Sequence, residues 1–294
     1  MSHAHRFEAS RALYNRLTRR DKIVPTLPDI AILADELVAL HDAGSLVAPF
    51  SSRYAGLTPD AGYRAAARLH AHRLARGWKP VGRKVGFTNR TIWPRYGVYE
   101  PMWGTVYDQT VIASQGNRAV VPLAGLAQPR IEPEICFGLK TPPPLTHDAD
   151  ALLGAIEWVA HTVEIVQCHH PDWKVTIADC TADNGLHGRL ILGTPIPVGV
   201  LPGLAAKLPA LSVELRKGGD VVDRGVGANV LDSPLEALAF LVEVLARQAD
   251  APPLAAGEIV STGTLTDAHP VAPGDTWSTS FAGLPLAGLE LRFV

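Results

Sequence analysis

The sequence carries no surplus of positive charge. Lys and Arg number 27 against 29 Asp and Glu, for a net charge of −2. There is no basic run either, so the electrostatic footprint of a nucleic-acid binder is missing. Long apolar runs are also missing. The stretch Ala237–Ala246 is interrupted by Glu243 and is far too short to span a bilayer. The opening Met1-Ser-His-Ala-His-Arg6 lacks the apolar centre of a signal peptide. Cysteine is scarce: Cys136, Cys168 and Cys180 form no CxxC pair and leave one odd, so free buried thiols in a reducing cytoplasm are expected. Gly82 and Gly86 do not make a phosphate loop, because the GxxxxGK[ST] order is absent. No internal repeat or low-complexity tract occurs.

What is present is a large globular chain. Of its 294 residues 47% are apolar and 19% charged, enough to bury a substantial core. Residues from about 7 to 46 read as helical, with Ile32, Leu33, Leu37, Val38 and Leu40 at helix spacing and Gly44 as a stop. Thr58-Pro59-Asp60 starts a second helix ending before Gly77, whose basic face (Arg64, Arg68, His70, His72, Arg73) reads as solvated. Residues 149–161 read as a helix, and Asp232-Ser233-Pro234-Leu235-Glu236 as a capping box opening another. Short strands with glycine turns fill the rest, without βα alternation. The fold class expected is α+β: a helical portion over residues 1–80, then a mixed β-roll or barrel-like sheet over 81–294.

One stretch stands out: Arg130-Ile-Glu132-Pro-Glu134-Ile-Cys-Phe-Gly138. On a strand, residues two apart share a face, so Glu132 and Glu134 leave the backbone together. Glu164 sits between Val163 and Ile165 in equally apolar company. Ionised carboxylates rarely enter such surroundings uncompensated. Either Arg83, Lys84 or Arg130 pairs with them, or they hold a divalent cation, and all-oxygen ligation suits Mg²⁺, Mn²⁺ or Ca²⁺ rather than zinc.

Other candidates lie in polar or turn-rich segments. Lys84, between Arg83 and Val85, reads as partly buried: a salt-bridge partner, or a lysine whose pKa is lowered by burial and a neighbouring cation. The aromatic stretch 91–111 reads as a satellite core or a lid. His169 and His170 are adjacent, face opposite ways on a strand, and fit surface positions. Asp179, Asp183 and His187 fall in a loop whose Asn184-Gly185 is also a plain turn signal.

Several stretches together resemble the fumarylacetoacetate hydrolase superfamily, in its 2-keto-4-pentenoate hydratase and 4-oxalocrotonate decarboxylase branch. They are Gly82–Thr88, Gly97–Gly104, Ile131–Glu134, Val163–Val166, Ala182-Asp183-Asn184, Val230–Leu238, Leu254–Val260 and Gly263–Thr266 through Pro273-Gly274-Asp275. The resemblance implies the family's β-roll, a homo-oligomer, and Mg²⁺ or Mn²⁺ held by Glu132, Glu134 and Glu164. It puts Lys84 at the active site as proton shuttle, with Asp183 and His169 as further catalytic candidates. Ser52, Arg53, Phe87, Thr88 and Thr264 are the expected substrate contacts. The substrate implied is a small 2-oxo or 2-hydroxydienoic acid. Hydration of a 2-hydroxy-2,4-dienoate leads, with oxalocrotonate decarboxylation, acylpyruvate hydrolysis or non-catalytic binding of a 2-oxo acid as alternatives. Two departures from the branch pattern stand out: Met102 where an acidic residue is usual, and Gln167-Cys168-His169 where Asp-Ser-Arg is usual.

Overall fold

The computed structural model describes residues 29–96 and 98–294. The part of the first helical reading before residue 29 therefore lies outside the described residues. Helix α1 spans Ile30–Ala43, capped by the Asp29 carboxylate on Ala31 N (2.8 Å) and closed by Gly44 at φ 59°. A short turn, α2 (Phe50–Arg53), leads to α3 (Pro59–Ala75), where Thr58 caps and Pro59 takes the first position. Its basic face is not all solvated. Arg73 is 5% exposed, with its guanidinium over the rings of Trp78 (5.1 Å) and Tyr107 (4.8 Å).

The strands follow: β1 (Pro80–Gly86), the short helix α4 (Trp93–Tyr96), β2 (Met102–Tyr107), β3 (Val111–Ala113), β4 (Arg118–Val121) and β5 (Arg130–Leu139). Next come α5 (Ala149–Ala155), β6 (Ile156–Val166), α6 (Ile177–Ala182), β7 (His187–Leu192) and β8 (Ile196–Pro197). The chain ends through α7 (Leu204–Ala210), β9 (Ser212–Lys217), β10 (Asp220–Val226), α8 (Pro234–Arg247), β11 (Ile259–Thr264), β12 (His269–Pro270), β13 (Thr276–Ala282) and β14 (Glu290–Phe293). Among the described residues no helix is long and apolar enough to cross a membrane. All three cysteines are free and buried.

A mixed, nine-stranded sheet runs β2-β1-β11-β5-β6-β7-β3, with β12 on β5 and β8 on β6; a five-stranded sheet runs β10-β9-β13-β14-β4. This is the mixed roll expected. Period two sorts its faces. In β5, Ile131 joins the core between the sheets, with Val163, Ile165, Leu215, Trp277 and Phe293. Ile135 and Phe137, on the same strand face, meet Leu235, Leu238 and Leu241 of α8. Glu132, Glu134 and Cys136 are left on the other face. In α8, Ser233 caps Leu235 N at 3.3 Å, but Glu236 turns to His147 Nδ1 (2.6 Å), so the capping box is only half formed.

The helix expected over residues 149–161 stops at Ala155. Helix spacing of Leu152, Leu153, Ile156 and Val159 is outweighed by strand pairing: β6 lies against β5 from Ile156↔Leu139 to Val166↔Arg130. Gly138 is required there, because a Cβ would stand 2.0 Å from the Trp158 ring.

His161 is buried between the sheets. Its Nδ1 lies 3.0 Å from Glu134 O, an acceptor, so that nitrogen carries the hydrogen and Nε2 accepts from the Thr279 hydroxyl at 2.8 Å. Burial lowers its pKa to about 4. The unfolded chain protonates this histidine near 6.5 and the fold resists until about 4, so the contribution is intact above 6.5 and lost as pH falls through that window. Relative to His161→Gln, wild type should lose about 2 kcal/mol of unfolding free energy between pH 7 and pH 5. Parallel urea curves for the two proteins at both pH values would refute this.

Candidate active site

Two strands bring the carboxylates together. Glu132 pairs directly with Glu164 across β5 and β6, and Glu134 follows two residues on. Like charges opposed in a ladder are unfavourable without a compensating cation. One oxygen from each of the three lies within 4.8 Å of the others. Glu134 and Glu164 are fully buried; Glu132 is half-buried.

Each buried carboxylate is held on one oxygen and left open on the other. Glu134 Oε2 accepts from Ser261 Oγ (2.6 Å) and Gly263 N (3.0 Å). The Ser261 proton is thereby committed, so the Thr162 hydroxyl, 3.0 Å away, donates to Ser261. Glu164 Oε1 accepts from His187 Nδ1 at 2.8 Å, which leaves His187 Nε2 facing the Thr110 hydroxyl, also at 2.8 Å. Glu134 Oε1 has no hydrogen-bond donor among the described residues. Glu164 Oε2 has no aligned donor, only the Lys84 ammonium at 3.2 Å. Buried acceptors of this kind are costly unless something fills the gap between them. A hard divalent cation fits the oxygen donor set and the open atoms.

Lys84 reaches the trio from β1, where it pairs with Ser261 on one side and Gly104 on the other. Its Nζ donates to Gly185 O at 2.8 Å. Burial acts to lower the Lys84 pKa, but Glu164, Glu132 and Glu134 together outweigh it and raise it. The depressed lysine considered from sequence is thus not what the carboxylates alone produce. Burial also raises the Glu132 pKa to about 7, against the pull of Lys84, and pushes Glu134 well above the carboxylate range with help from Glu164 and Glu132. Of the other cations weighed as partners, Arg83 goes to Glu258 (3.0 Å) and Arg130 stacks 4.4 Å over Trp173.

The loop after α6 is wedged against β2. Asn184 mimics a strand, accepting from Thr105 N (2.9 Å) and donating to Thr105 O (3.0 Å). Asn184, Gly185 and Leu186 all have positive φ (49°, 64°, 64°), a costly run for the two residues with side chains. Gly104 permits the approach, since a Cβ there would stand 2.1 Å from Asn184 O. Gly104→Ala should cost about 1–3 kcal/mol and, by displacing the Lys84 acceptor Gly185 O, lower turnover as well. Thermal melts with kinetics check this; unchanged kcat in a destabilised variant would separate the loop from catalysis.

Phe87 and Trp173 also have positive φ (56° and 58°), and with Leu186 they belong to one apolar cluster around Met102 and Cys180. Met102 Cε and Lys84 Nζ both flank Gly86, at 2.7 and 3.6 Å from where its Cβ would be. The cluster therefore borders the ammonium. The aromatic stretch read as a satellite core or a lid is in part strand β2, and Trp93 Nε1 anchors it by donating to Phe87 O (2.7 Å).

The remaining candidates are placed as follows. Asp183 and His169 are both buried and bonded to each other at 2.8 Å, so His169 is not a surface residue; His170 is buried too. His41 Nε2 also meets Asp183 at 2.8 Å, and Arg73 Nη2 meets His41 Nδ1 at 3.0 Å. Burial pushes the Asp183 pKa up, but the two imidazoles outweigh that and hold it well below the carboxylate range. The contacts of this network brace α1 and α3 against the loop after α6. Asp179 is occupied by Ser51 and Thr176. Thr88 is buried and its carbonyl holds Leu231 N; the Thr264 hydroxyl donates to Thr266 O. Ser52 donates to Pro49 O and Arg53 pairs with Glu36 at 2.9 Å, both on the surface. Ser261, Gly263 and Gly185, which hold Glu134 and Lys84, were not singled out from sequence. The alternation of Val260-Ser261-Thr262 beside a glycine was the available signal for the first two.

A mixed roll carrying three inward carboxylates beside a buried lysine defines a protein with an oxygen-ligand centre for a hard divalent cation. A family model described as fumarylacetoacetate (FAA) hydrolase C-terminal matches residues 97–289, and the chain belongs to that family. It is similar to a 2-keto-4-pentenoate hydratase of Paraburkholderia xenovorans LB400, 32% identical over 257 residues, 85% of this chain and 90% of the relative. It is similar also to a 4-oxalocrotonate decarboxylase of Pseudomonas sp. CF600, 31% identical over 283 residues, 95% of this chain and 100% of the relative. The solved 4-oxalocrotonate decarboxylase of Pseudomonas putida G7, complexed with magnesium and adipate, superposes with a TM-score of 0.81 at 29% identity, covering 90% of this chain and 97% of that one.

Proposed function

We propose that the protein is a divalent-metal-dependent hydratase that adds water to a 2-hydroxy-2,4-dienoate to give a 4-hydroxy-2-oxo acid. The observation that carries this is the pair of buried, open carboxylate oxygens, Glu134 Oε1 and Glu164 Oε2, with Glu132 opposite and Lys84 at 3.2 Å. Glu132, Glu134 and Glu164 would hold Mg²⁺ or Mn²⁺. When bound, the cation supplies a Lewis acid that draws charge onto the 2-oxygen of the substrate.

The chain's own groups do the rest. Ser261 and Gly263 fix Glu134, and His187 fixes Glu164, so the carboxylates keep their positions as charge moves. Ketonisation shifts the 2-hydroxyl proton to C5, and Lys84 is the group proposed to carry it. Water then adds across C3 and C4, hydroxyl to C4 and hydrogen to C3. Residues 81–294 hold these groups. The helical portion before them braces the loop after α6 through His41 and Arg73, with Asp183 and His169 in positioning roles.

The apolar flank of Phe87, Met102, Leu186 and Trp173 favours a substrate with an uncharged far end. Decarboxylation of an oxalocrotonate-type diacid is the second reading. It draws on Arg130, a cation stacked on Trp173 at that flank. Purified protein with Mg²⁺ should bleach the dienol absorbance of 2-hydroxypenta-2,4-dienoate faster than it releases CO₂ from oxalocrotonate. CO₂ release with the higher kcat/KM reverses the order. Tight oxalate binding with no turnover of either substrate ends the enzymatic reading.

A further inference from the structure

His187 and Thr110 have a second neighbourhood. They form part of the wall of a cavity of about 200 Å³ between α1, α3 and the start of β7, which none of Lys84, Glu132, Glu134 or Glu164 lines. Its charge is one-sided. Arg73, Arg76 and Arg189 line it against a single acid, Asp42, and Asp42 is taken by Arg76 at 2.6 Å; the imidazoles of His41, His72 and His187 add polar nitrogens to the wall, those of His41 and His187 kept neutral by burial.

Two guanidinium groups are left without a carboxylate partner among the described residues. Arg73 is 5% exposed; its Nη2 faces His41 Nδ1 at 3.0 Å, and its Nη1 is buried with no partner. Asp183 lies beyond His41, which stands between the two charges. Arg189 is half-buried and bonds only the Gly188 carbonyl, at 3.1 Å. His72 Nε2 is also buried without a partner among the described residues. Buried cations are ordinarily paired, and a guanidinium fork matches the geometry of an oxyanion. At roughly 30 Å³ of liquid per water molecule, the space suits a compact ion rather than a drug-sized ligand.

We propose that this cavity is a binding site for a compact oxyanion, inorganic phosphate or the carboxylate of a small acid, seated on Arg73 and Arg189. The proposal does not depend on the catalytic reading, although Arg73 and His187 border both sites.

Calorimetric titration of the full-length chain decides the matter. Sodium phosphate and sodium acetate are the probes, at ionic strength matched with NaCl, with and without chelator. Saturable binding of either probe that survives chelator is expected, and which probe binds tells phosphate from carboxylate. Hydrogen bonds to charged groups are the strong ones, so Arg189→Gln and Arg73→Gln should each weaken Kd tenfold or more. Arg189→Gln, at a half-buried position, decides alone if the Arg73 variant does not fold. No saturable binding, binding lost with chelator, or a Kd unchanged in Arg189→Gln would each overturn the proposal.

Discussion

Glu134→Gln should abolish divalent-cation binding and turnover together, and it should make the cation-free protein more stable. The two effects have one source. Glu134 is fully buried, its Oε2 is saturated by Ser261 and Gly263, and its Oε1 is open beside two further carboxylates. Burial, reinforced by Glu164 and Glu132, lifts its pKa well above the ordinary range, so ionising it in the absence of a cation opposes folding. The amide keeps the acceptor for Ser261 and Gly263 while removing the charge. Without cation the variant should therefore gain on the order of 1–3 kcal/mol, several degrees in Tm. With Mn²⁺ the order reverses, because ligand binding stabilises only the protein that binds it. Calorimetry with Mn²⁺ and melts with and without chelator measure both arms. Since burial raises Glu132 to about 7, wild-type affinity should also weaken below that pH, as protons compete for the site. A Glu134→Gln protein that still binds Mn²⁺ with wild-type affinity would remove the basis for the metal centre.

The convergence of the three carboxylates was legible in the sequence because strand geometry is strict. Two residues apart means one face, so Glu132 and Glu134 were committed to the same side once the apolar run Ile135–Phe137 marked a strand. Their opposition to Glu164 needed only a second strand with a carboxylate in apolar company. Less was visible where the deciding contact is remote. His169 and His170 read as surface residues because the partner that draws His169 inward, Asp183, is 14 residues away across a loop and α6. Arg73 shared a basic face with Arg64 and Arg68, and the packing of His41, Trp78 and Tyr107 around it separates it from them. The helix expected over residues 149–161 failed for the same reason. Local spacing favoured it, and ten residues of β5 waiting to be paired favoured the strand. Positive φ at Phe87, Trp173 and Leu186 had no sequence signal, since none is the glycine or asparagine that such angles favour.

Lys84→Met should leave the metal centre loaded and cut turnover by roughly 10²–10⁴, the range in which a positioned general acid–base group contributes. The substitution keeps an unbranched side chain of similar length on β1, so the strand pairings to Gly104 and Ser261 need not change. What it removes is the single ammonium 3.2 Å from Glu164 and its bond to Gly185 O. A lysine that served only to neutralise the trio would behave differently. Its loss would free the carboxylates for the cation, tighten metal binding and leave kcat near wild type. The two roles also part in pH dependence. Carboxylates alone raise the Lys84 pKa despite its burial, whereas a bound divalent cation cancels their charge and lets burial dominate, bringing the ammonium towards a range where it exchanges protons. The basic limb of the kcat profile should therefore belong to Lys84 in the metal-loaded enzyme and vanish in Lys84→Met. Residual turnover within about tenfold of wild type, with that limb intact, would move the proton transfer to another group and leave Lys84 as a counter-ion.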